Sequence, residues 1–348
     1  MEGVASSPVL LPRKTRPLVL NQRLQDNTKS MILGFLLALF APNVLALTDS
    51  ELAMKSRGII LYGQYKAITA QPLLMVAAQA GDHEAQYYLA ESLRSKDGYM
   101  NPEAEKWYEA AAAQGDLYAM IQLGRDKPDL CKFVNDCPPR AKTPAEWLKQ
   151  ALSIAQPQAT DGDAEAMYIM YELTLDTAWL EKSAAKNHSL SQYLLATSYK
   201  QGNGFFLPWK RSEVVENLFE ASAKGGNPQA MMEIGAIRYE KGDLEGFRYW
   251  NEQAALAGYA TAVYGHGSDL AHEPDTYGFT YDIVKGYALI YSLKELDGGG
   301  GIQSIVDSKL PRIEAKMTPQ QIYVAKEFSA QWKASHLPLS FFPDKLSR

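Results

Sequence analysis

Ala77-Ala78-Gln79-Ala80-Gly81-Asp82-His83-Glu84-Ala85 decides the fold. Small residues run into a glycine, an acid follows, and an alanine stands four positions beyond the glycine. Five further copies follow: Ala112-Ala113-Gln114-Gly115 with Ala119, Gly162 with Ala166, Ala184-Ala185-Lys186-Asn187 with Ser191, Ala223-Lys224-Gly225-Gly226 with Ala230, and Ala254-Ala255-Leu256-Ala257-Gly258 with Ala262. Successive glycine-equivalents (81, 115, 162, 187, 226, 258) lie 34, 47, 25, 39 and 32 residues apart. Their mean, about 35, is the period of a helical-hairpin solenoid.

Each recurring residue has a physical reason. Gly81, Gly115, Gly226 and Gly258 stand where the first helix of a hairpin ends, and glycine accepts the left-handed conformation there. Asp82, Asp116, Asp163 and Asn227 come next, placed to cap the second helix. The small residue lets two helices approach closely, and four positions on comes an apolar core residue: Leu89, Leu123, Met170, Leu195, Ile234. Eight residues before the glycine-equivalent stands Leu73, Trp107, Trp179, Leu218 or Trp250; in the third copy Trp147 holds the place, with Ala155–Asp161 inserted. A tryptophan at a fixed offset on an amphipathic helix reads as packing between hairpins.

These residues resemble the Sel-one-like repeat family, relatives of the tetratricopeptide repeat. Leu195-Ala196-Thr197-Ser198-Tyr199-Lys200-Gln201-Gly202-Asn203-Gly204 follows that family's Leu-Gly-x-x-Tyr-x-x-Gly-x-Gly pattern with Ala for the first Gly, and Tyr239-Glu240-Lys241-Gly242 repeats its end one residue out of step. Lys285–Leu293 reads as another first helix, closed by Asp297–Gly301. Thr318-Pro319-Gln320-Gln321 opens a helix through about Lys333, similar to the family's C-terminal cap. The resemblance covers roughly residues 55–335. It implies an all-α, right-handed α-solenoid of helix-turn-helix repeats, about six to seven hairpins with a capping helix over 47–335, and a C-terminal tail over 336–348. It also implies protein–protein interaction; the particular function does not follow from the fold.

The array is irregular in three places, where repeat proteins tend to carry individual function. Arg125–Thr143 holds Cys131, Cys137 and three prolines. Gly202–Trp209 holds Phe205, Phe206 and Trp209, which either bind a partner or fold back over their own hairpin. His266–Asp282 carries Asp269, Glu273, Asp275, Tyr277, Phe279, Tyr281 and Asp282, aromatics beside acids, the composition of a binding hot spot facing a basic pocket.

Residues 1–46 read as a leader and secretory signal. Met31–Phe40 is an apolar run broken at Pro42, and Val44-Leu45-Ala46 offers small residues for cleavage; Met1 or Met31 is the start. A retained membrane anchor is the alternative, and no lipoprotein cysteine adjoins the site. Five basic and two acidic residues leave with the leader, taking the net charge from −5 to −5 − 3 = −8. Such a chain repels nucleic acid and favours a basic protein partner. In the exported compartment a Cys131–Cys137 disulfide is expected, against two free thiols in a reducing one.

Chemistry is sparse. His266, Ser268 and Asp269 are neighbours in sequence without a nucleophile elbow. His266 and His272 lack a third ligand for a metal. Gly298–Gly301 has no following Lys-Ser/Thr, so it is not a phosphate loop. The expectation is a non-enzyme without cofactor or metal. By resemblance, an exported acidic array of this kind points to a periplasmic immunity protein that inhibits a type VI secretion lipase, phospholipase D-like and basic-pocketed. It would act as a monomer in a 1:1 complex, with no membrane insertion after cleavage. The alternative is a periplasmic scaffold for envelope assembly or polysaccharide export.

Overall fold

Cap chemistry sets the rhythm of the helices. Asp82, Asp116, Asp163 and Asn227 accept from the amides of Ala85, Ala119, Ala166 and Ala230 at 2.8, 2.9, 2.7 and 3.0 Å. Directly before these caps, Gly81, Gly115, Gly162 and Gly226 have φ of 97, 94, 101 and 89°, and Asn187 takes the same left-handed turn at 64°. A Cβ at Gly81, Gly115 or Gly226 would meet nothing within 4 Å, so these glycines are required by their dihedrals rather than by crowding.

The computed structural model describes residues 46–126, 129–137, 141–207, 209–273, 277–297 and 300–346. The apolar run Met31–Phe40, the cleavage signal before Ala46, Asp275 and Gly298–Gly299 lie outside the described residues. Helix α1 (Asp49–Gly63) leads seven hairpins: α2 (Ala67–Gln79) with α3 (His83–Asp97), α4 (Pro102–Ala113) with α5 (Leu117–Arg125), α7 (Pro144–Thr160) with α8 (Ala164–Thr174), α9 (Thr177–Ala185) with α10 (Ser189–Lys200), α11 (Arg211–Lys224) with α12 (Pro228–Glu240), α13 (Leu244–Leu256) with α14 (Ala260–Leu270), and α15 (Ile283–Ser292) with α16 (Ile302–Glu314). A short helix, α6 (Asp129–Val134), sits in the first insertion, and a 3-10 turn, Leu293–Leu296, extends α15. Helix α17 (Pro319–Ser335), opened by a Thr318/Gln321 capping box, turns back onto α15. Among the described residues there is no strand; the chain is an all-α solenoid, 74% helical.

Neighbouring helices pack in chain order, and the small residues mark the contact. Ala85, Ala119, Ala166, Ser191, Ala230 and Ala262 are all buried, as are Leu89, Leu123, Met170, Leu195 and Ile234. Trp107, Trp147 and Trp250 are buried, and Leu73, Trp179 and Leu218 pack partly buried against the same core. The described residues from Leu47 onward form one compact unit.

The array bends until its ends touch. Lys66, just after α1, donates to Asp297 at 2.7 Å and to the Glu295 carbonyl. Gln64 Nε2 reaches Glu295 Oε1 at 3.3 Å, across 231 residues of sequence. Between the two ends lies residues 336–346, read above only as a tail. This segment is docked, with Leu339 and Leu346 buried.

Candidate partner-binding surfaces

Helices that alternate in direction put alternate connections on opposite edges. The left-handed turns before α3, α5, α8, α10, α12 and α14 share one edge. The connections after those helices share the other, and all three irregular insertions fall there. The insertions are therefore one edge of the solenoid, though far apart in sequence.

The first insertion is closed by the Cys131–Cys137 disulfide, with Cys131 buried. Tyr99 OH donates to Asp136 at 2.8 Å, tying the insertion to the connection between α3 and α4. Phe133, on α6, is 88% exposed.

In the second insertion Arg211 clamps the turn, donating to the carbonyls of Tyr199 (2.8 Å), Asn203 (2.5 Å) and Gly204 (3.1 Å). Its guanidinium lies over the Phe206 ring, whose edge meets Tyr199 with centroids 4.7 Å apart. Phe206 thus folds back over its own hairpin. The clamp pushes its neighbours outward: Phe205 is 99% and Trp209 74% exposed.

The third insertion is placed differently from the sequence reading. His266–Leu270 is the last turn of α14, so Asp269 is a buried helix residue and not a loop carboxylate. Tyr277 packs against Phe247 and Tyr239, at 4.8 and 5.3 Å between centroids. Phe279 is buried against Phe247 and His266. His272 Nε2–H donates to the Phe279 carbonyl at 2.8 Å, a direction fixed because a carbonyl only accepts. Glu273 is paired with Lys316, which holds its carboxyl below the usual range. Asp282 caps α15 at the Lys285 amide, 2.9 Å, while remaining exposed. Tyr281, over the His272 ring, is 53% exposed.

No catalytic relay forms at His266. Its Nδ1 and the Ser268 hydroxyl, both buried, find no partner among the described residues. Burial pushes the His266 imidazole down to about 4, with Lys285 adding to the effect. Burial pushes the Asp269 carboxyl up to about 7 against the pull of His272 and Lys309. Among the described residues no three His, Cys, Asp or Glu side chains gather as metal ligands, and no helix is long and apolar enough to cross a membrane.

The sequence assigns no site to the tail, yet its main chain is hydrogen-bonded along much of its length to the array. The Ser340 amide donates to the Gly258 carbonyl, the Ala260 amide to the Ser340 carbonyl, and the Phe341 amide to the Gly63 carbonyl, each at 2.9 Å. Gln64 Nε2 donates to the Leu339 carbonyl at 3.0 Å. Further in, Tyr87 on α3 and Gln122 on α5 both donate to the Lys345 carbonyl, and the Lys345 ammonium lies 4.9 Å from the Tyr118 ring centroid. The layer containing α3, α5 and α14 therefore faces the bore. Gln122 is aimed by a buried cluster around Glu91, which accepts from Gln122 (2.6 Å), Tyr108 (2.8 Å) and Arg94 (2.9 Å). Two sequence signals point this way. Tyr259 stands where four of the other five copies carry an Asx cap (His188 is the remaining one), and the Ser340 carbonyl meets the Ala260 amide at that bare helix start. Leu337-Pro338-Leu339-Ser340-Phe341-Phe342-Pro343 is also too apolar for a solvated tail.

Solved structures with a similar chain trace include a Sel1 repeat protein from Oxalobacter formigenes, at 19% identity, 93% of this chain and 97% of that chain, with a TM-score of 0.41. A second is c5321, a protective antigen of uropathogenic Escherichia coli displaying an SLR fold, at 18% identity, 81% of this chain and 78% of that chain, with a TM-score of 0.32. No family model matches the sequence, and no curated protein matches it.

Proposed function

We propose that the chain is an exported protein-binding inhibitor, an immunity protein that neutralises a phospholipase D-like lipase effector of type VI secretion by covering its active site. The observation that carries this reading is the set of large apolar side chains, Phe133, Phe205 and Trp209, left in solvent along one edge that the fold itself does not use. Such side chains are the usual anchors of a tight interface. The disulfide fits an oxidising compartment. On this reading Phe205, Trp209 and Tyr281 supply contact area, while Tyr277, Phe279 and Asp269 hold the third insertion in the shape that presents Tyr281. Asp282 brings negative charge to a cationic cleft, with Asp275 as a further candidate outside the described residues, while Glu273 is engaged by Lys316 until a partner's cation replaces it.

The test is to express the chain from Leu47 in its host's periplasm and identify what co-purifies. The tag belongs at the amino end, because Leu346 is buried. One stoichiometric lipase, inhibited by the purified chain, supports the reading. Recovery of envelope-assembly or polysaccharide-export proteins with no lipase overturns it in favour of a scaffold.

A further inference from the structure

We propose that the bore of the solenoid is a recognition site for an extended peptide segment, and that residues 337–346 are its resident, displaceable occupant. The segment has no regular structure of its own, yet its main chain is held by six groups of the array: the Gly63 and Gly258 carbonyls, the Ala260 amide, and the side chains of Gln64, Tyr87 and Gln122. Main-chain bonds of this kind hold a peptide whatever its sequence, and pockets for alternate side chains then select it.

Three glycines make the room. A Cβ at Gly63 would lie 2.8 Å from Ser340 Oγ, and one at Gly258 2.5 Å from the Pro338 carbonyl. A Cβ at Gly300 would collide with the Phe341 ring. Gly63 is the informative member, since its helical backbone needs no glycine; only the approach of Ser340 asks for one there.

The pockets define what fits. Leu339 is buried, Ser340 occupies a slot that admits only a small side chain, and Phe341 stacks on Tyr65 at 4.9 Å. Leu346, five residues beyond the aromatic, is buried again. A cleft of about 950 Å³ runs beside Pro343 and Asp344 and carries Arg57 and Lys96, together with Lys66 in its pair with Asp297. The partner segment is therefore an extended peptide of apolar, small and aromatic residues in succession, an acid near the third position after the aromatic, and an apolar residue at the fifth. It binds by displacing the tail, so the free protein is held in a self-occupied state.

This inference rests on the chain being a protein-binding protein, not on the partner being a lipase. The probe is a fluorescent synthetic peptide of residues 336–348. A chain ending at His336 should bind it saturably at 1:1, and the full chain at least about tenfold more weakly, because its site is open only part of the time. A peptide with Ser340→Trp should not bind, and Gly63→Val in the shortened chain should abolish binding. Absence of binding to a folded shortened chain, equal binding to the full chain, or equal binding of the Ser340→Trp peptide would each overturn the proposal. If the shortened chain does not fold, a protease site placed between His336 and Leu337 of the full chain serves instead. After cleavage in the folded state, excess labelled peptide should replace the tail; a cleaved tail that never exchanges is a structural plug, and the proposal fails. None of these outcomes bears on inhibition of a lipase, which is measured separately.

Discussion

His266 and Asp269 lie three residues apart on α14, and burial moves them in opposite directions, to about 4 and about 7. Unfolded, they return to ordinary values near 6.5 and 3.8. Asp269 has a raised folded value, so its contribution favours the fold at low pH and is lost as pH climbs toward about 7. His266 has a depressed folded value, so its contribution is present above about 6.5 and lost as pH falls toward about 4. Over roughly pH 4 to 6.5 the two slopes oppose, and the pair leaves stability nearly level. Asp269→Asn should therefore make stability rise with pH across that window, and His266→Gln should make it fall. Denaturant midpoints at three pH values check this; parallel slopes for both variants would contradict it. The glycines allow a second comparison. Gly81→Ala meets only left-handed strain, about 1–2 kcal/mol. Gly258→Ala adds a collision with the Pro338 carbonyl, so its thermal midpoint should fall further and amide exchange near Ser340 should quicken.

At the scale of elements, the caps were legible because they are local. An Asx residue directly after a left-handed glycine can act only on the helix it opens, and four such residues do so. Asp116→Ala should accordingly cost about 1 kcal/mol in a denaturant titration. The insertions were harder. Their position was readable from the interrupted period, but which aromatics face solvent depends on groups met only in three dimensions. Arg211 turns Phe206 inward and leaves Phe205 out; Phe247, on the first helix of the hairpin before the insertion, draws in Tyr277 and Phe279, and Tyr239, from another hairpin, meets Tyr277 as well. Phe205→Ala with Trp209→Ala should leave the unfolding free energy within about 0.5 kcal/mol of the parent in a denaturant titration. The same pair should cost about 2 kcal/mol of binding to the inhibited partner, read by titration calorimetry. Replacing Cys131 and Cys137 by Ser should lower stability by about 2 kcal/mol, and the loss appears as local exchange in α6 rather than along the array.

For the molecule as a whole, the period of about 35 residues gives a stack of hairpins but carries no information on how far the stack curves. Curvature accumulates from small rotations at each interface, and the sequence encodes it only through packing. The meeting of Lys66 with Asp297, and the seating of Ser340 between Gly63 and Gly258, are consequences of that sum. They make the two ends one cooperative piece. Removing residues 337–346 should speed amide exchange in α1 and α14 together, while α9 and α10, in the middle of the array, stay protected. Acceleration confined to one end would show the ends to be independent.

Ser340 and Gly63 are separated by 277 residues. A ribosome adds about 5–20 residues per second, so roughly 14–55 s pass between the emergence of the first helix and the arrival of the segment that covers it. For that interval the inner side of α1, α3 and α5 is bare, and Leu61, Tyr87 and Tyr88 are open to chaperones and to other nascent chains. Translation speed over the second half of the message thus becomes a determinant of yield when the chain is made from Leu47 without its leader and folds as it is synthesised: slow codons after α5 should raise aggregation, and the same codons placed before α1 should not.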